Sequence, residues 1–272
     1  MISKNQIKYV HQLELKKFRK QEGLFIAEGH KVVGDLLAAG FRPTQLFATP
    51  EWITSNTPLL RGGARPKGAL ATEGTQEWAR GGGDIIEVTT DELTKLSLQQ
   101  HPQQVLALFP IPEAQPQISN LKSQISILLD NIQDPGNLGT IIRIADWFGI
   151  DTIFCSTGTV DAWNPKVVQA TMGSIARVRI IYIDAQQLFD SLPADYPVYG
   201  TFLDGENIYT QELSSNGLIV MGNEGNGISD AVRARISRRL LIPDFHRGDT
   251  ADSLNVAIAT AITCSEFRRR GL

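Results

Sequence analysis

The second half of the chain opens with the stretch Ile125-Ser-Ile-Leu-Leu-Asp-Asn-Ile-Gln-Asp-Pro-Gly-Asn-Leu-Gly-Thr-Ile-Ile-Arg143. Its first five residues, Ile125–Leu129, are almost all apolar, which is typical of a strand buried on both faces. A polar turn follows, and Asn137 is a residue type suited to cap a helix that we expect over Leu138–Phe148. The stretch therefore predicts a strand, a polar loop and a helix in succession, which is the repeating unit of a parallel α/β sheet.

The same alternation continues toward the end of the chain. Further apolar runs are strand candidates: Thr152–Cys155, Val178–Ile183, Val198–Phe202, Leu218–Met221 and Leu240–Ile242. The helical stretches between and after them are Pro165–Met172, Ala185–Leu192, Ser229–Ile236 and Leu254–Arg269. Short continuous apolar runs predict a sheet that helices cover on both faces. We therefore expect residues 124–272 to form a doubly wound, mostly parallel α/β domain.

Three polar segments punctuated by glycine stand where strands are expected to end and helices to begin. They are Asp134–Arg143, then Met221-Gly-Asn-Glu-Gly-Asn-Gly227, then Ile242-Pro243 followed by Asp252-Ser-Leu-Asn255. In open α/β sheets, ligands bind in the crevice at the carboxyl ends of the strands. One such segment is weak support for a site, but three in one half of the chain predict a single site built from three loops.

The first two segments limit the kind of ligand. Asn137 and Arg143 would frame a polar notch beside the strand end, unless Arg143 is only a surface residue. The glycine spacing of residues 222–227 matches neither a Walker loop nor the dinucleotide fingerprint. Glycines at a strand end let a flat ligand approach the backbone closely. Glu224 would repel a phosphate, so it favours a cationic or hydroxyl-bearing ligand; the alternative is a plain glycine-rich turn.

The third segment precedes an unusually apolar helix. Asp252 or Ser253 can cap that helix, and Leu254 is then an exposed apolar residue at a helix start, which ligand packing would explain. The helix, Val256-Ala-Ile-Ala-Thr-Ala-Ile-Thr-Cys264, is apolar on nearly every side. We therefore expect it to be buried, either in the core or against a partner chain.

The first part of the chain reads as a separate small α/β domain, residues 1–112. We expect strands at Leu24–Ala27, Gln45–Ala48 and Val105–Phe109, and helices at Ile7–Leu15, Gly29–Ala39 and around Thr75–Ala79. Residues 61–83 are rich in Gly and Arg and have little periodicity, so they favour a surface loop. The proline and polar residues of 113–123 are typical of a linker.

Composition excludes several classes of protein. With 42% apolar and 20% charged residues, the 272-residue chain is expected to be globular, and no apolar run reaches the ~18 residues of a membrane span. Met1–Lys8 lacks the apolar core of a signal peptide, which favours a cytoplasmic protein. The two cysteines and four histidines have no metal-ligand spacing, so we expect no metal site. Cys155 and Cys264 are expected to be buried core residues.

The net charge of −3 does not by itself indicate a nucleic-acid partner. Three basic clusters permit phosphate contacts without requiring them, because each could equally be a solvated helix face. They are Lys16, Lys17, Arg19 and Lys20; Arg233, Arg235, Arg238 and Arg239; and Arg268, Arg269 and Arg270.

The three segments, in this order, resemble the signature motifs of the SpoU (TrmH) family of RNA ribose 2′-O-methyltransferases, in the SPOUT superfamily. The resemblance covers Ile125 to Arg270 and rests on the spacing of Asn137 and Arg143, the Met-Gly-Asn-Glu-Gly core, and Ser253-Leu-Asn255. Phe25-Ile-Ala-Glu-Gly29 is similar to part of the small α/β substrate-binding domain often fused ahead of the family's catalytic domain. The resemblance implies a C-terminal trefoil knot, a homodimer, S-adenosyl-L-methionine (AdoMet) as cofactor, and an RNA-binding first domain.

The resemblance also implies which residues form the site. The polar catalytic group would be Arg143, Asn137, Glu224, Ser253 and Asn255. The cofactor would be contacted, largely through backbone groups, by Leu203, Gly205, Met221, Gly222, Asn223, Gly225, Gly227, Ile242 and Leu254. Arg143 is the family's usual candidate for activating the ribose hydroxyl. It could act as a base, stabilise the alkoxide, or hold a phosphate that does the work.

One loop departs from the family pattern. Residues 244–252 form a connection a few residues longer than is usual, which leaves the roles of His246, Arg247 and Asp249 open between RNA contact and loop extension.

The leading hypothesis is an AdoMet-dependent RNA 2′-O-ribose methyltransferase acting on structured RNA. We favour 23S-type rRNA over tRNA because of the amino-terminal domain. An alternative is a catalytically inactive RNA-binding module of the same fold, against which the intact polar group argues. A third is a nicotinamide-dependent oxidoreductase, but the turn after Leu129 reads Asp-Asn-Ile-Gln-Asp-Pro-Gly and lacks the dinucleotide fingerprint.

Overall fold

The computed structural model of the protein describes residues 1–60, 83–113, 124–246 and 252–270. The chain divides into two compact units, the first comprising Met1–Glu113 and Asp161–Arg177, the second Ala114–Val160 and Val178–Leu272. The expected helix at Thr75–Ala79 and most of the expected linker lie outside the described residues. Placing the domain boundary at 113–123 stays a prediction. The grouping of Asp161–Arg177 with the first unit is a feature that the sequence pattern did not predict.

The first unit is built on a four-stranded sheet of order β1-β4-β2-β3. Its strands are β1 (Leu24–Glu28), β2 (Gln45–Ala48), β3 (Asp84–Glu87) and β4 (Val105–Pro110). Its helices are α1 (Lys4–Gln12), α2 (Lys16–Glu22), α3 (His30–Ala38), α4 (Pro50–Ser55), α5 (Thr57–Leu60), α6 (Thr90–Leu96) and α8 (Pro165–Ala170), with a 3-10 turn at Ser174–Ala176. β4 runs antiparallel to β1 and β2, whereas β3 is parallel to β2.

Aromatic residues of neighbouring strands form the centre of this unit. Phe25 of β1 lies opposite Phe109 of β4, and their rings stack with centroids 5.6 Å apart. Both are fully buried, as is Phe47 of β2. The three predicted strands are confirmed. Each is a mostly apolar run, which is the strongest local signal for a buried strand.

The sequence pattern misses the short and charged elements of this unit. β3 is an edge strand whose residues are mostly exposed, so it has no apolar run to find. In α2, five of the seven residues are charged. α6 depends on a capping box, in which Thr89 and Glu92 bond each other's backbone N–H groups. α1 begins at Lys4, earlier than expected, because Ser3 forms a second capping box.

The second unit is a six-stranded sheet of order β10-β8-β9-β5-β6-β7 in which every pair is parallel. Its strands are β5 (Ile125–Leu129), β6 (Thr152–Cys155), β7 (Arg179–Tyr182), β8 (Val198–Asn207), β9 (Gly217–Met221) and β10 (Arg238–Leu241). Its helices are α7 (Pro135–Trp147), α9 (Ala185–Ser191), α10 (Asp230–Arg233) and α11 (Val256–Arg269). The predicted parallel α/β fold is confirmed.

The order of these strands locates a crevice. β5 pairs with β6 on one side and with β9 on the other, so the strand order reverses between β5 and β9. Such a reversal leaves an open space at the carboxyl ends of the two strands, because their connections leave in opposite directions. The loops that begin at Asp130 and Gly222 lie at this switch point.

β8 is longer than its apolar pattern predicts. It runs to Asn207 rather than ending at Phe202, and it pairs with β10 in two registers. Arg239 lies opposite Gly200 and the next residue, Leu240, lies opposite Glu206, so residues 201–205 leave the ladder. This excursion places the side chains of 201–204 at the edge of the crevice.

The last helix is only partly buried. Thr260, Thr263 and Cys264 face the core, but Ile258 is 52% exposed, so the core buries one face of the helix and burial of the other face against a partner chain stays a prediction. Cys155 and Cys264 are both unpaired and buried, as expected. No described helix is long and apolar enough to cross a membrane.

Candidate active site

A chain of two side-chain hydrogen bonds joins one residue from each of the three glycine-punctuated segments. Asn255 Nδ2 donates to Asn137 Oδ1 at 2.9 Å, and Asn137 Nδ2 donates to Glu224 Oε1 at 2.9 Å. The residues come from the start of α11, the first turn of α7 and the loop after β9. The predicted meeting of the three segments at the carboxyl ends of the strands is therefore found in the structure.

The direction of this chain is set by a helix N-terminus. Asn255 Oδ1 accepts from the backbone N–H groups of Ala257 and Ile258 at 2.9 and 3.3 Å, so it caps α11. Its Nδ2 is thereby left to donate outward. Asn137 must then accept with Oδ1 and donate with Nδ2, which directs a donor at the Glu224 carboxylate. The expectation that Asp252 or Ser253 caps this helix is wrong, because the helix begins at Val256.

Asn137 is free for this role because another residue caps its helix. Asp134 Oδ1 accepts from the backbone N–H of Asn137 at 2.7 Å, and Asp134 is the N-cap of α7. Pro135 occupies the first helical position, where its missing N–H costs nothing. The expectation that Asn137 caps this helix is therefore wrong: its backbone is capped, and its side chain points to the site.

The loop after β9 is a compact turn closed by its own backbone. Asn223 and Gly227 exchange two backbone hydrogen bonds of 2.9 Å, and Asn223 Oδ1 accepts from the N–H groups of Gly225 and Asn226. A Cβ on Gly222 would lie 2.4 Å from the backbone of Gly227, so only glycine fits where the turn closes. The turn fixes the position of Glu224.

A cavity of about 540 Å³ lies between this turn, the excursion of β8 and the start of α11. The residues predicted to bind cofactor that line it are Leu203, Met221, Gly222, Asn223, Gly225, Gly227, Ile242 and Leu254. Two of the predicted catalytic residues, Glu224 and Ser253, also line it. Further residues of the cavity wall are Thr201, Phe202, Asp204, Asn226, Ile228, Arg233, Leu241, Asp252, Val256 and Ala259, of which Asp204, Asn226 and Asp252 lie in segments that the sequence assigned to the site.

Two predicted site residues belong neither to the cavity wall nor to the hydrogen-bonded chain. Gly205 is not part of the cavity wall; a Cβ there would lie 2.6 Å from the backbone of Leu240, so its glycine serves the close pairing of β8 with β10. Arg143 is exposed on α7 and lies outside the cavity wall. Its side chain makes no hydrogen bond or ion pair with any of the described residues.

An arginine and aromatic cluster forms one rim of the cavity. The guanidinium groups of Arg233 and Arg239 lie over the Phe202 ring, 4.7 and 4.5 Å from its centroid. Both also pair with Asp204, and the hydrogen bond from Arg239 is the main reason why the pKa of Asp204 lies below its usual value. These arginines are therefore already engaged, which the sequence reading of a solvated basic cluster did not reveal.

The loop before the third segment is described only in part. Phe245 is largely exposed, and the backbone N–H of His246 donates to Asp244 Oδ1 at 2.8 Å. Arg247 and Asp249 lie outside the described residues, so their roles stay open. Among the residues that the structure does describe, no cluster of three or more His, Cys, Asp or Glu could hold a metal ion.

The fold and site define a parallel α/β domain with a ligand cavity at the carboxyl ends of its strands, preceded by a small α/β unit. The chain belongs to the SpoU rRNA methylase family, whose family model matches residues 124–265. Residues 4–107 match the MRM3-like substrate binding domain. The resemblance read from the three motifs is thus confirmed.

Individual relatives agree with this assignment. The chain is 33% identical to the 23S rRNA (guanosine(2553)-2′-O)-methyltransferase RlmP of Bacillus subtilis, over 66% of this chain and 71% of that protein. A TrmH-family protein of known structure from Porphyromonas gingivalis is 37% identical, with a TM-score of 0.81 and 99% of both chains covered. The AdoMet-bound rRNA methyltransferase of Sinorhizobium meliloti is 28% identical, with a TM-score of 0.82, covering 100% of this chain and 97% of that one.

Proposed function

We propose that the protein is an AdoMet-dependent RNA 2′-O-ribose methyltransferase acting on structured RNA, with 23S-type rRNA favoured over tRNA. The observation that carries the proposal is the hydrogen-bonded chain Asn255–Asn137–Glu224, which ends on a carboxylate in the wall of the cavity. Relatives named as rRNA methyltransferases support the choice of substrate. We assign RNA binding to residues 1–112 and methyl transfer to residues 124–272, in keeping with the two family-model matches.

The cavity suits AdoMet in size and charge. Ligand pockets usually have volumes of about 300–1,000 Å³, and this one is about 540 Å³. Its walls combine apolar side chains, such as Ile242 and Leu254, with the glycine-rich backbone of the turn after β9. Among the described residues, the carboxylates of Glu224 and Asp252 line it, as does that of Asp204, which is paired with Arg233 and Arg239. Such a wall favours a ligand with a positive charge, which AdoMet carries on its sulfur.

The residues of the chain orient a ribose for reaction. AdoMet, when bound, supplies a methyl group activated by its sulfonium. Glu224 Oε1 is occupied by Asn137, so its other oxygen can accept a hydrogen bond from a ribose hydroxyl. Ser253, exposed in the cavity wall, offers a hydroxyl nearby. Holding the two reactants in line provides much of the rate of such a displacement.

Arg143 is proposed as an essential residue with a separate role. The 2′-hydroxyl is a weak nucleophile that has to release its proton as it accepts the methyl group. A guanidinium stays protonated, so its charge favours stabilising the alkoxide or a substrate phosphate over acting as a base. Arg143 is exposed and without a partner among the described residues, as expected for a side chain that meets RNA.

We further propose that the protein is a homodimer through its catalytic domain. Trp147 of α7 is 86% exposed and Ile258 of α11 is 52% exposed, and the two helices pack against each other. Large exposed apolar residues on adjacent helices are typical of an interaction surface. Arg143 lies one helical turn before Trp147, on the same face of α7, so a dimer formed here would border Arg143.

The trefoil knot and the cytoplasmic location are proposed on the family resemblance. Arg270, at the end of α11, donates to the carbonyls of Ile208, Tyr209 and Gln211, which supports a last helix that is fixed against the connection after β8. Two unpaired, buried cysteines are in keeping with a reducing compartment.

The test of the proposed function is methyl transfer from labelled AdoMet to separate rRNA and tRNA pools. We expect the label in rRNA. After alkaline hydrolysis it should remain in dinucleotides, because a 2′-O-methyl group blocks cleavage of the adjoining phosphodiester. Label in neither pool, together with RNA binding and no AdoMet binding, would support the inactive RNA-binding module instead.

A further inference from the structure

Two residues hold the turn that carries Glu224, one at each end. They do not line the cavity and are not among the predicted catalytic residues. These residues, Asp130 and Asn131, directly follow β5. Asn131 contacts the start of the turn through Asn223, and Asp130 contacts its end through Ser229. The two contacts span residues 223–229, so they fix the segment on which Glu224 lies.

Asn131 has an unusual backbone conformation that aims its carbonyl. Its φ is 58°, in the left-handed region that a side chain with a Cβ disfavours. Its N–H donates to Ser156 Oγ at 2.9 Å, and its Nδ2 donates to Asp130 Oδ1 at 2.9 Å. Held in this way, the Asn131 carbonyl accepts from Asn223 Nδ2 at 2.7 Å. Asn223 in turn orders the backbone of the turn.

Asp130 is a buried carboxylate, only 2% exposed, that the proposed reaction does not use. Its backbone N–H donates to the carbonyl of Met221 and so extends the pairing of β5 with β9 by one residue. Its Oδ2 accepts from the backbone N–H of Ser229 at 2.8 Å. Ser229 is the N-cap residue of α10, so Asp130 fixes the point where the turn passes into that helix.

We propose that Asp130 and Asn131 are positioning residues that set the placement of Glu224 for methyl transfer. The inference rests on the proposed function. Neither residue reaches the cavity, so both act through the turn. A misplacement of about 1 Å can cost about a hundredfold in rate. The turn closes on itself through its own backbone, and the clamp at both its ends fixes where the closed turn, and with it Glu224, lies relative to β5.

The first test removes one hydrogen bond and leaves Asp130 in place. Ser229→Pro deletes the N–H that donates to Asp130, and the φ of Ser229, −62°, is one that proline adopts. Ser229→Ala is the matched control, since the Ser229 side chain makes no capping hydrogen bond. We expect kcat of Ser229→Pro to fall about tenfold, while the KM for RNA changes less than about twofold and Ser229→Ala keeps the wild-type kcat.

The second test separates the conformation of Asn131 from its side-chain bonds. Asn131→Gly and Asn131→Ala lose the same side-chain hydrogen bonds, but only glycine accepts the left-handed conformation freely. We expect Asn131→Gly to have a kcat at least about fivefold higher than Asn131→Ala, although glycine costs more entropy on folding. If Asn131 only stabilises the fold, the two variants should have the same kcat per folded molecule.

The outcomes are distinct from those for the proposed function. Wild-type protein without methyl transfer to any RNA contradicts the proposed function. Active wild type, with Ser229→Pro as active as Ser229→Ala and Asn131→Gly no better than Asn131→Ala, overturns the positioning role. The folded fraction of each variant is measured by circular dichroism, and kcat is expressed per folded molecule.

Discussion

Asn255 Nδ2 lies 2.9 Å from Asn137 Oδ1, although the two residues are 118 positions apart in the chain. The same Asn255 side chain caps α11 through its oxygen. A structural cap and a site contact therefore share one amide, and the helix N-terminus determines which atom of Asn137 faces Glu224. We therefore expect methyl transfer to be sensitive to substitutions that keep the size of a side chain but exchange a hydrogen-bond donor for an acceptor.

Replacement of Asn137 by Asp tests the donor that faces Glu224. Asn137→Asp sets two carboxylates against each other and loses a hydrogen bond, each worth about 1 kcal/mol. We expect methyl transfer at saturating substrates to fall about ten- to thirtyfold. Gln133→Glu, at an exposed position before α7, adds the same charge without touching Glu224 and is expected to keep full activity. Equal losses in the two variants would show that net charge, not the contact, matters.

Two variants of Asn255 separate capping from catalysis. Asn255→Ala loses the cap of α11 and is expected to lower the free energy of unfolding by about 1 kcal/mol. Asn255→Asp keeps an oxygen that can cap the helix but loses the amide donor to Asn137. We expect near wild-type stability by urea denaturation together with strongly reduced methyl transfer. An Asn255→Asp protein that is fully active would contradict the assigned direction of the chain.

The close approach at Gly222 predicts a defect in cofactor binding. A Cβ in Gly222→Ala would meet backbone atoms of Gly227 and Ile228 at 2.4 Å, and such overpacking costs about 1–3 kcal/mol. We expect the dissociation constant for AdoMet to rise about ten- to a hundredfold by titration calorimetry. Gly34→Ala, in α3 and outside the cavity wall, is the control, because nothing lies within 4 Å of a Cβ at that position. Similar Tm and affinity in both variants would contradict this reading of the turn.

The pH dependence of stability tests the end of α11. Hydrogen bonds from Arg269 and Arg270 lower the pKa of Glu266 from 4.5 to about 2. A lowered pKa in the folded state means that the contribution is present above pH 4.5 and is lost as pH falls toward 2. We expect Glu266→Gln to be less stable than wild type at pH 7, with the difference vanishing near pH 2. Denaturant unfolding across this range measures the difference, and the control is Glu206→Gln, which removes an exposed carboxylate of β8 that forms no ion pair among the described residues.

The oligomeric state tests the face formed by Trp147 and Ile258. Trp147→Glu places a charge on this face, and since Trp147 is 86% exposed the fold should tolerate it. We expect a dimer for wild type and Trp147→Phe, and a monomer for Trp147→Glu, by light scattering coupled to size-exclusion chromatography. A wild-type monomer at tens of micromolar protein would contradict the proposed dimer.

Continuous apolar runs predicted the parallel sheet well. The bounds of β5 and β6 agree with the expectation at every residue, because a buried parallel strand is a nearly continuous apolar run. The motifs at strand ends also predicted which residues meet, since the carboxyl ends of parallel strands share one edge. The sequence pattern did not predict which side chain donates and which accepts each hydrogen bond. Asp134 and Asn137 are both good caps, and only the packed structure selects Asp134.

Charged residues were the least predictable from sequence. Arg19 belongs to a cluster that reads as solvated, yet it is 2% exposed. It donates to the carbonyls of Leu13 and Glu14 and pairs with Asp161 at 2.6 Å. A buried arginine requires such partners, and a partner 142 residues away cannot be read from local pattern. Asp130 is also a buried charged residue, and its partner Ser229, 99 positions away, cannot be predicted from the local sequence either.

The most direct measurement of the central claim is the identity of the methylated nucleoside formed from rRNA and AdoMet. RNA treated with wild type or Asn137→Asp would be digested to nucleosides and analysed by mass spectrometry. We expect a 2′-O-methylnucleoside from wild type and about ten- to thirtyfold less of it from Asn137→Asp. A methyl group on a base, or the same yield of 2′-O-methylnucleoside from both proteins, would contradict it.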